Sequence, residues 1–200
     1  LLSEIHHRVK NNLQIIDSLI GMQMDQVAGE QARSALMDSQ NRVKAISLVH
    51  QILYQSRDFG RIDASEFIAS LTHNLVQSYG VDGACIDLQL DLDPLFLSMD
   101  RSLPLGLIVN ELVSNALKHA FPDNRTGTLT IALKLIDDSS AILSVTDTGV
   151  GLPPGKGVGD GETLGLQLME ALALQIEAQL EVTARNPTRF ELTFDPKQAE

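Results

Sequence analysis

The most informative part of the sequence reads Asn110-Glu111-Leu112-Val113-Ser114-Asn115-Ala116-Leu117-Lys118-His119, inside a predicted helix from Pro104 to Ala120. At about 100° per residue, four polar side chains of this helix fall on one ridge: Glu111, Asn115, Lys118 and His119. The opposite face is apolar and consists of Val109, Leu112, Val113, Ala116 and Ala120. The apolar face is expected to lie against a core, which leaves the polar ridge for solvent or a ligand.

The four ridge residues have the chemistry of a site for a magnesium-bound phosphate. An amide oxygen, as in Asn115, suits Mg²⁺, a hard cation that completes its shell with waters and phosphates. Lys118 can neutralise phosphate charge, and Glu111 can accept a hydrogen bond from a metal-bound or attacking water. For this segment alone, a solvated helix face is the alternative.

A second motif, Asp147-Thr148-Gly149-Val150-Gly151, follows a predicted strand that ends at Thr146. A carboxylate here can accept a hydrogen bond from an exocyclic amine, and the glycines let the backbone approach a flat base. A simple turn after a strand is the alternative for this motif alone. The two glycines Gly149 and Gly151 nevertheless make a base-binding pocket a reasonable expectation.

A glycine-rich segment, predicted to be a mobile lid, connects Gly149 to Gly165 and includes Gly161. It ends in Thr163-Leu164-Gly165-Leu166, where a helix begins, and free amides at a helix N-terminus favour phosphate. The sequence contains neither Gly-x-x-x-x-Gly-Lys-Ser/Thr nor Gly-x-Gly-x-x-Gly. A P-loop or a Rossmann site is therefore not supported.

The N-terminal part has the pattern of two long amphipathic helices. Apolar residues recur at steps of three and four from Leu1 to Val27 and again from Ala32 to Leu53, with a break at 28–30. Helices joined by so short a connection are expected to form an antiparallel hairpin. Because a lone hairpin leaves apolar surface in water, we predict a homodimer through residues 1–57 that forms a four-helix bundle.

Two adjacent histidines, His6 and His7, lie near the start of the first helix. On a helical wheel His6 falls at the edge of the apolar stripe, and His7 falls about 100° further, on the polar side. A neutral imidazole has a free nitrogen lone pair and can accept a phosphoryl group if it is accessible. Ordinary surface histidines are the alternative, whereas a shared metal site is disfavoured because the two side chains diverge.

Beyond residue 60 the pattern changes to mixed helices and strands, so the fold class is α+β with a mixed sheet. Helices are predicted at Asp63 to Tyr79 and Leu164 to Gln175, and strands at Cys85 to Leu92, Thr128 to Ile136, Ala141 to Thr146, Leu180 to Ala184 and Arg189 to Phe194. The predicted domains are a hairpin at 1–57, a linker at 58–60, an α/β domain at 61–196 and a tail at 197–200.

Composition excludes several classes of protein. A formal net charge of -11 disfavours sequence-independent nucleic-acid binding, and the single cysteine, Cys85, excludes an internal disulfide. No run of about 18 apolar residues appears, so no membrane contact is expected within this segment. These features suit the cytoplasm, although a segment preceding Leu1 could anchor a longer protein to a membrane.

The run His6-His7-Arg8-Val9-Lys10-Asn11-Asn12-Leu13-Gln14 resembles the phosphoacceptor box of the histidine kinase subgroup that carries His-Arg-Val-Lys-Asn, which is related to the HWE kinases. The resemblance makes His7 the phosphoacceptor and gives Asn11 a phosphatase role. In the larger histidine kinase families an acidic residue follows the acceptor and a proline lies five residues beyond it. Here Arg8 and Asn12 take those places, and Glu4 is the remaining candidate for a general base.

The ordered motifs at 110–119, 147–151 and 161–166 resemble the N, G1 and G2 boxes of the GHKL superfamily. This resemblance implies an α/β sandwich that binds ATP with Mg²⁺ held by Asn115, a phosphate contact at Lys118 and an acidic group at Glu111. Asp147 would read adenine. His119, Gly149, Gly151, Gly161, Thr163, Leu164, Gly165 and Leu166 would complete the nucleotide site.

Together these resemblances predict a histidine autokinase of a two-component system, which would transfer the γ-phosphate of ATP to His7 and then to an aspartate on a response regulator receiver domain. Two alternatives stay open. One is a GHKL-type ATPase switch or serine kinase, which does not need the histidine in the hairpin. The other is a dimeric phosphotransfer scaffold that has lost nucleotide binding, which Asn115 and Asp147 argue against.

Overall fold

The N-terminal hairpin is present in the computed structural model, which describes residues 2–55, 61–79, 85–152 and 164–197. Helix α1 spans Leu2–Gln26 and helix α2 spans Glu30–Gln55, and the two pack against each other along their length. Gly29 connects them at a φ of 120°, a conformation that favours glycine. The predicted antiparallel hairpin and its break are therefore confirmed.

The rest of the chain forms a layer of helices on a sheet. Its elements, in chain order, are β1 (Ile62–Asp63), α3 (Ala64–Ser78), β2 (Ile86–Leu92), β3 (Phe96–Leu97), α4 (Met99–His119), a short 3-10 helix (Pro122–Asn124), β4 (Gly127–Asp137), β5 (Ser140–Asp147), α5 (Leu164–Gln175), β6 (Gln179–Arg185) and β7 (Thr188–Phe194). The main sheet has the order β2-β4-β5-β7-β6. Because β2 pairs with β4 in parallel and the other pairs are antiparallel, the predicted mixed sheet is confirmed.

The core of this layer lies between helix α4 and the sheet. On β4 every second residue, Leu129, Ile131 and Leu133, is buried, as expected for a strand with one face on a core. On α4 the buried apolar residues include Ile108 and Val109. Helix α4 packs between α3 and α5, and another of its faces contacts the hairpin through α2.

Helix α4 begins five residues earlier than the sequence predicts. The carbonyl of Ser98 accepts hydrogen bonds from the amides of Arg101 (3.2 Å) and Ser102 (2.9 Å), so the first turn forms ahead of the proline. Pro104 therefore lies inside the helix instead of at its first position. The prediction placed the start at Pro104 because proline is common in the first turn.

The hairpin packs on the α/β layer through α2, which contacts both α3 and α4. Ala45 of α2 is only 1% exposed and belongs to the same apolar core as the helices of that layer. Leu48, one turn further along α2, also packs against this core. One to two turns before Ala45, Arg42 and Asp38 contact the polar residues Glu111 and Lys118 of α4. Among the helices that the structure describes, none has the length and apolar character that a membrane span requires.

Candidate nucleotide site

A cavity of about 440 Å³ lies between α4, the sheet and the first turn of α5. Its volume is within the range of pockets that bind small molecules. Most of its wall is apolar, with a few polar groups that could orient a ligand. The lining residues are Leu112, Asn115, Ala116, His119 and Ala120 near or on α4, Val145, Asp147, Thr188 and Phe190 on the strands, Val150, Gly151 and Leu152 in the loop after β5, and Leu166 on α5.

Asp147 lies at the end of β5 and is buried in the wall of this cavity. Its Oδ1 accepts a hydrogen bond from the amide of Gly149 at 3.0 Å. Burial raises the pKa of Asp147, while the Gly149 amide and the Thr188 hydroxyl oppose that rise. A buried carboxylate with few fixed partners can accept a hydrogen bond from an amine of a bound base.

The loop after β5 is held at three places. The amide of Thr148 donates to the carbonyl of Thr128 (3.0 Å), that of Val150 to the carbonyl of Ala120 (2.9 Å), and that of Leu152 to the carbonyl of Arg185 (2.8 Å). These bonds tie the loop to the start of β4, the end of α4 and the end of β6. The wall of the cavity is thus fixed by backbone contacts from three elements.

Gly149 lies where this loop crosses the end of α4. A Cβ atom at this position would be 2.2 Å from the carbonyl oxygen of Ala120 and 2.5 Å from the Ala120 Cβ. Gly151 has a φ of 84° and lies close to the carbonyl of Arg185. Both glycines are therefore needed for the loop to keep its present path.

The polar ridge of α4 divides into two faces. Asn115 and His119 line the cavity together with Leu112 and Ala116 from the next face of the helix. Glu111 and Lys118, which the sequence places on the same ridge, instead contact α2. The structure thus brings Asn115, His119 and Asp147 together, and it does not bring Glu111 and Lys118 into the cavity.

Glu111 is paired with an arginine of the hairpin. Nε of Arg42 donates to Oε1 of Glu111 and an Nη of Arg42 donates to Oε2, each at 2.7 Å. The Glu111 side chain is only 7% exposed, and Nδ2 of Asn110 also donates to its Oε1 at 3.1 Å. The pKa of Arg42 is raised, mainly by its hydrogen bond with the Glu111 carboxylate.

Lys118 is paired with an acidic residue of the hairpin. Its Nζ contacts Oδ1 of Asp38, and the hydroxyl of Tyr79, at the end of α3, donates to the same oxygen at 3.2 Å. Both charged side chains are more than two-thirds buried. In this arrangement the charge of Lys118 is neutralised by Asp38 and is not presented to the cavity.

A divalent cation would fit this site only together with a ligand. The described residues contain no group of three or more His, Cys, Asp or Glu side chains that could hold a metal by themselves. Asn115 does place an amide at the cavity wall. Because Mg²⁺ commonly takes one or two protein ligands plus phosphate oxygens and waters, this donor set fits Mg²⁺ bound with a nucleotide.

The remaining predicted site residues are only partly described. His7 lies on α1, but its side chain is outside the described residues, so its exposure stays a prediction. Asn11, one turn further along α1, is exposed. Gly161 and Thr163 lie outside the described residues, Leu164 begins α5, and Gly165 and Leu166 follow in its first turn.

Sequence analysis missed several residues of the site. Thr188 and Phe190 line the cavity from β7, where alternation predicts a strand but no motif marks a ligand contact. Asp38 and Arg42 were missed because they lie in the middle of a helix otherwise read for its apolar stripe. Their spacing of four residues, with opposite charges, predicts at most a pair within one helix and not their contacts with α4.

Two protein families match this chain. Residues 4–79 match the family described as histidine kinase, and residues 100–198 match the family described as histidine kinase-, DNA gyrase B- and HSP90-like ATPase. The first match contains the hairpin and α3. The second contains α4, the cavity and the main sheet except β2.

Similar proteins carry related descriptions. A sensor histidine kinase, PdtaS, of Mycobacterium tuberculosis is 36% identical over 174 residues, which are 86% of this chain and 34% of that protein. A blue-light-activated histidine kinase 2 of Erythrobacter litoralis is 30% identical over 188 residues, which are 91% of this chain and 53% of that protein. This chain therefore spans about a third to a half of the length of these curated relatives.

A solved structure shares the whole arrangement. The histidine kinase domain of the Erythrobacter litoralis EL346 blue-light-activated histidine kinase has a TM-score of 0.74 at 26% identity, and the match covers 98% of this chain and 91% of that one. The two family matches together span both the hairpin and the α/β layer. The chain therefore belongs to the histidine kinases, with a C-terminal domain of the gyrase B- and HSP90-like ATPase type.

Proposed function

We propose that this chain is the core of a histidine autokinase, in which an ATP-binding domain at 61–196 phosphorylates His7 of a hairpin at 1–57. The observation that carries the proposal is the cavity beside α4. It joins a buried carboxylate, Asp147, to an amide, Asn115, across a mostly apolar wall. An apolar wall with a carboxylate suits the adenine base. The Asn115 amide and the N-terminus of α5, whose Leu166 also lines the cavity, suit the phosphates of the nucleotide.

Within this proposal each residue of the nucleotide site has a distinct task. Asp147 accepts a hydrogen bond from the exocyclic amine of adenine, and the backbone at Gly149 and Gly151 bounds the base. Asn115 holds Mg²⁺ through its amide oxygen, and the ion neutralises phosphate charge when it is bound. Leu166 closes the wall from α5. Lys118 and Glu111 are paired with α2 outside the cavity, and the proposal gives Lys118 a contact to the phosphates and makes Glu111 the acidic group of the site.

The first step of the proposed reaction is a phosphoryl transfer from ATP to His7. A bond forms between an imidazole nitrogen of His7 and the γ-phosphorus, and the bond from that phosphorus to the β,γ-bridging oxygen breaks, which leaves ADP. Catalysis of this kind depends mainly on alignment and charge neutralisation. The phosphoryl group would then pass to an aspartate of a receiver domain, and Asn11 would assist its later hydrolysis.

We also propose that the hairpin pairs with a second copy. Four large apolar side chains of α1 are exposed: Ile15, Ile16, Leu19 and Met22. They form a stripe on the side of α1 that does not face α2. A second hairpin could cover this stripe in a four-helix bundle, which is the arrangement expected for a homodimer.

The test is incubation of the purified chain with Mg²⁺ and ATP labelled at the γ-phosphate. We expect protein-bound label that is lost in acid and kept in base, because a phosphorus–nitrogen bond is acid-labile. The label should disappear in His7→Ala and persist in His6→Ala, the matched control on the same helix. Acid-stable label, or label that survives in His7→Ala, would point instead to a serine kinase or another acceptor.

Nucleotide binding must be measured in the same preparations. His7→Ala should bind a non-hydrolysable ATP analogue with Mg²⁺ as tightly as the parent chain, since His7 lies on α1 and the cavity lies beside α4. A parent chain that takes up no nucleotide would refute the proposal. That result would favour a phosphotransfer scaffold without ATP chemistry.

A further inference from the structure

Four charged residues form a clasp between the hairpin and the helix that carries the nucleotide site. Asp38 and Arg42 are four residues apart on α2, and Glu111 and Lys118 are seven residues apart on α4. Arg42 pairs with Glu111 and Asp38 with Lys118, so each helix contributes one charge of each sign. This α2–α4 clasp uses the two ridge residues of α4 that do not face the cavity.

The surroundings of the clasp are polar. The hydroxyl of Ser78 donates to Oδ1 of Asn41 at 3.5 Å, and the hydroxyl of Tyr79 donates to Asp38. Asn41 is itself buried. Interfaces between domains of one chain that depend on polar contacts resemble transient protein–protein interfaces, because buried charges recover much of their hydration on separation. The clasp is therefore suited to opening and closing.

The clasp also lies at the end of the site where phosphate is expected. A Cβ atom on Gly165, in the first turn of α5, would be 2.8 Å from Oε2 of Glu111. The Glu111 carboxylate is thus held by Arg42 against the helix N-terminus proposed to receive phosphate. Lys118 lies one turn beyond Asn115 on α4, yet its ammonium group points to Asp38.

We infer that Asp38 competes with the phosphates of the nucleotide for Lys118, so that docking of α2 on α4 and nucleotide binding oppose each other. The inference rests on the proposed function, in which Lys118 contacts phosphate. The single positive charge of Lys118 cannot fully compensate the Asp38 carboxylate and a phosphate at the same time. Because such coupling is reciprocal, a bound nucleotide loosens the hairpin and the docked hairpin weakens nucleotide binding by the same factor.

The first test removes the competitor. Asp38→Asn keeps the side-chain size and the oxygen that accepts from Tyr79, and it abolishes the negative charge. We expect this variant to bind the β,γ-imido analogue of ATP with Mg²⁺ about fivefold more tightly, or more, than the parent chain. The matched control is Asp25→Asn, which changes the net charge equally but removes a carboxylate that is 83% exposed and 4.0 Å from its partner Arg33.

The control variant should bind the analogue like the parent chain. Equal or weaker binding by Asp38→Asn, at an unchanged melting temperature, would overturn the inference. The proposed function is judged separately: if the parent chain itself binds no analogue, that function fails, whereas binding by the parent with no gain in Asp38→Asn refutes only the competition.

The second test measures docking directly. Ala45 lies two turns from Asp38 on the same face of α2 and is 1% exposed, so a thiol there is protected while α2 is docked. Ala45→Cys, made together with Cys85→Ser, should react with iodoacetamide several-fold faster when the β,γ-imido analogue and Mg²⁺ are present. An alkylation rate that stays the same or falls would contradict an opening of the clasp by nucleotide.

Discussion

Arg42 of the hairpin holds both carboxylate oxygens of Glu111 at 2.7 Å, in the fork geometry that suits a guanidinium and a carboxylate. The pair joins two parts of the chain that are 69 residues apart. Because Glu111 is 7% exposed, its charge depends on Arg42 for compensation. The hairpin is thus attached to the α/β layer through a group that the proposed reaction also uses.

Arg42→Met should lower the free energy of unfolding by about 2 to 3 kcal/mol, because it leaves a nearly buried carboxylate without its counter-charge while it keeps most of the aliphatic stem. The measurement is urea denaturation at neutral pH. Arg33→Met is the control, since Arg33 is exposed and its ion pair with Asp25 is long, and it should cost about 0.5 kcal/mol or less. Equal losses in the two variants would show that the Arg42 pair has no special contribution.

Asp147→Asn should separate binding from stability. The new amide can still accept from the Gly149 amide, but it cannot offer a charged acceptor to an adenine amine, so nucleotide affinity should fall about 10- to 100-fold. The melting temperature should stay equal or rise, because burial makes the charged form of Asp147 costly and the amide is neutral. A loss of both affinity and stability would indicate a purely structural role.

The raised pKa of Asp147 also predicts the pH dependence of binding. As the pH falls toward this raised pKa, the Asp147 carboxylate takes up a proton. The resulting hydroxyl is a hydrogen-bond donor that would face the amine of the base, which is also a donor. The affinity for Mg²⁺ and ADP should therefore weaken on acidification, and should do so at a higher pH than for an ordinary aspartate with a pKa of about 3.9. Calorimetric titration at several pH values measures this effect.

The same shift has a defined sign for stability. A carboxyl group whose pKa is higher in the folded chain binds its proton more tightly there than in the unfolded chain. Its ionisation therefore costs stability at neutral pH, and that cost is relieved as the pH falls through the folded pKa. In Asp147→Asn this pH-dependent contribution to stability should be absent. The nucleotide affinity of the variant should also depend less on pH than that of the parent chain. If affinity depends on pH identically in the two proteins, another group is responsible.

Much of the fold follows from local pattern. The alternation of Leu129, Ile131 and Leu133 predicts a strand on a core, and the break around Gly29 predicts the hairpin, since both depend on residues close in sequence. The short strands β1 and β3 were not predicted, because a strand of two residues is too short to show a hydrophobic period. The predicted start of α4 at Pro104, where proline is common in a first turn, missed the turn that begins at Met99.

The site was predictable only in part. A helical wheel puts Glu111, Asn115, Lys118 and His119 on one ridge, but it cannot tell which neighbouring element each residue meets. Because α2 packs against this ridge, Glu111 and Lys118 contact α2 and do not line the cavity. The partners Asp38 and Arg42 lie about 70 to 80 residues earlier, so no spacing rule connects them. Contacts of that range are set by tertiary packing.

Gly149→Ala should disrupt both the loop and the cavity. The added methyl group would be 2.2 Å from the Ala120 carbonyl oxygen, which also accepts the hydrogen bond from Val150 at 2.9 Å, so backbone must move. We expect a loss of about 2 kcal/mol in unfolding free energy and loss of measurable nucleotide binding. Gly21→Ala is the control, because its methyl group would meet nothing closer than 3.7 Å inside a helix, where it should stabilise by about 0.5 to 1 kcal/mol.

The exposed stripe on α1 predicts how the chain associates. Leu19 is 54% exposed in the single chain, so Leu19→Asp should leave the hairpin folded, with unchanged helical circular dichroism, while it places a charge in the proposed dimer interface. Light scattering should then give the mass of one chain where the parent gives two. The control is Leu174→Asp on α5, which makes the same change at a leucine that is 79% exposed and lies outside the hairpin. A dimer that persists in Leu19→Asp, or is lost equally in Leu174→Asp, would mean that this stripe is not the contact surface.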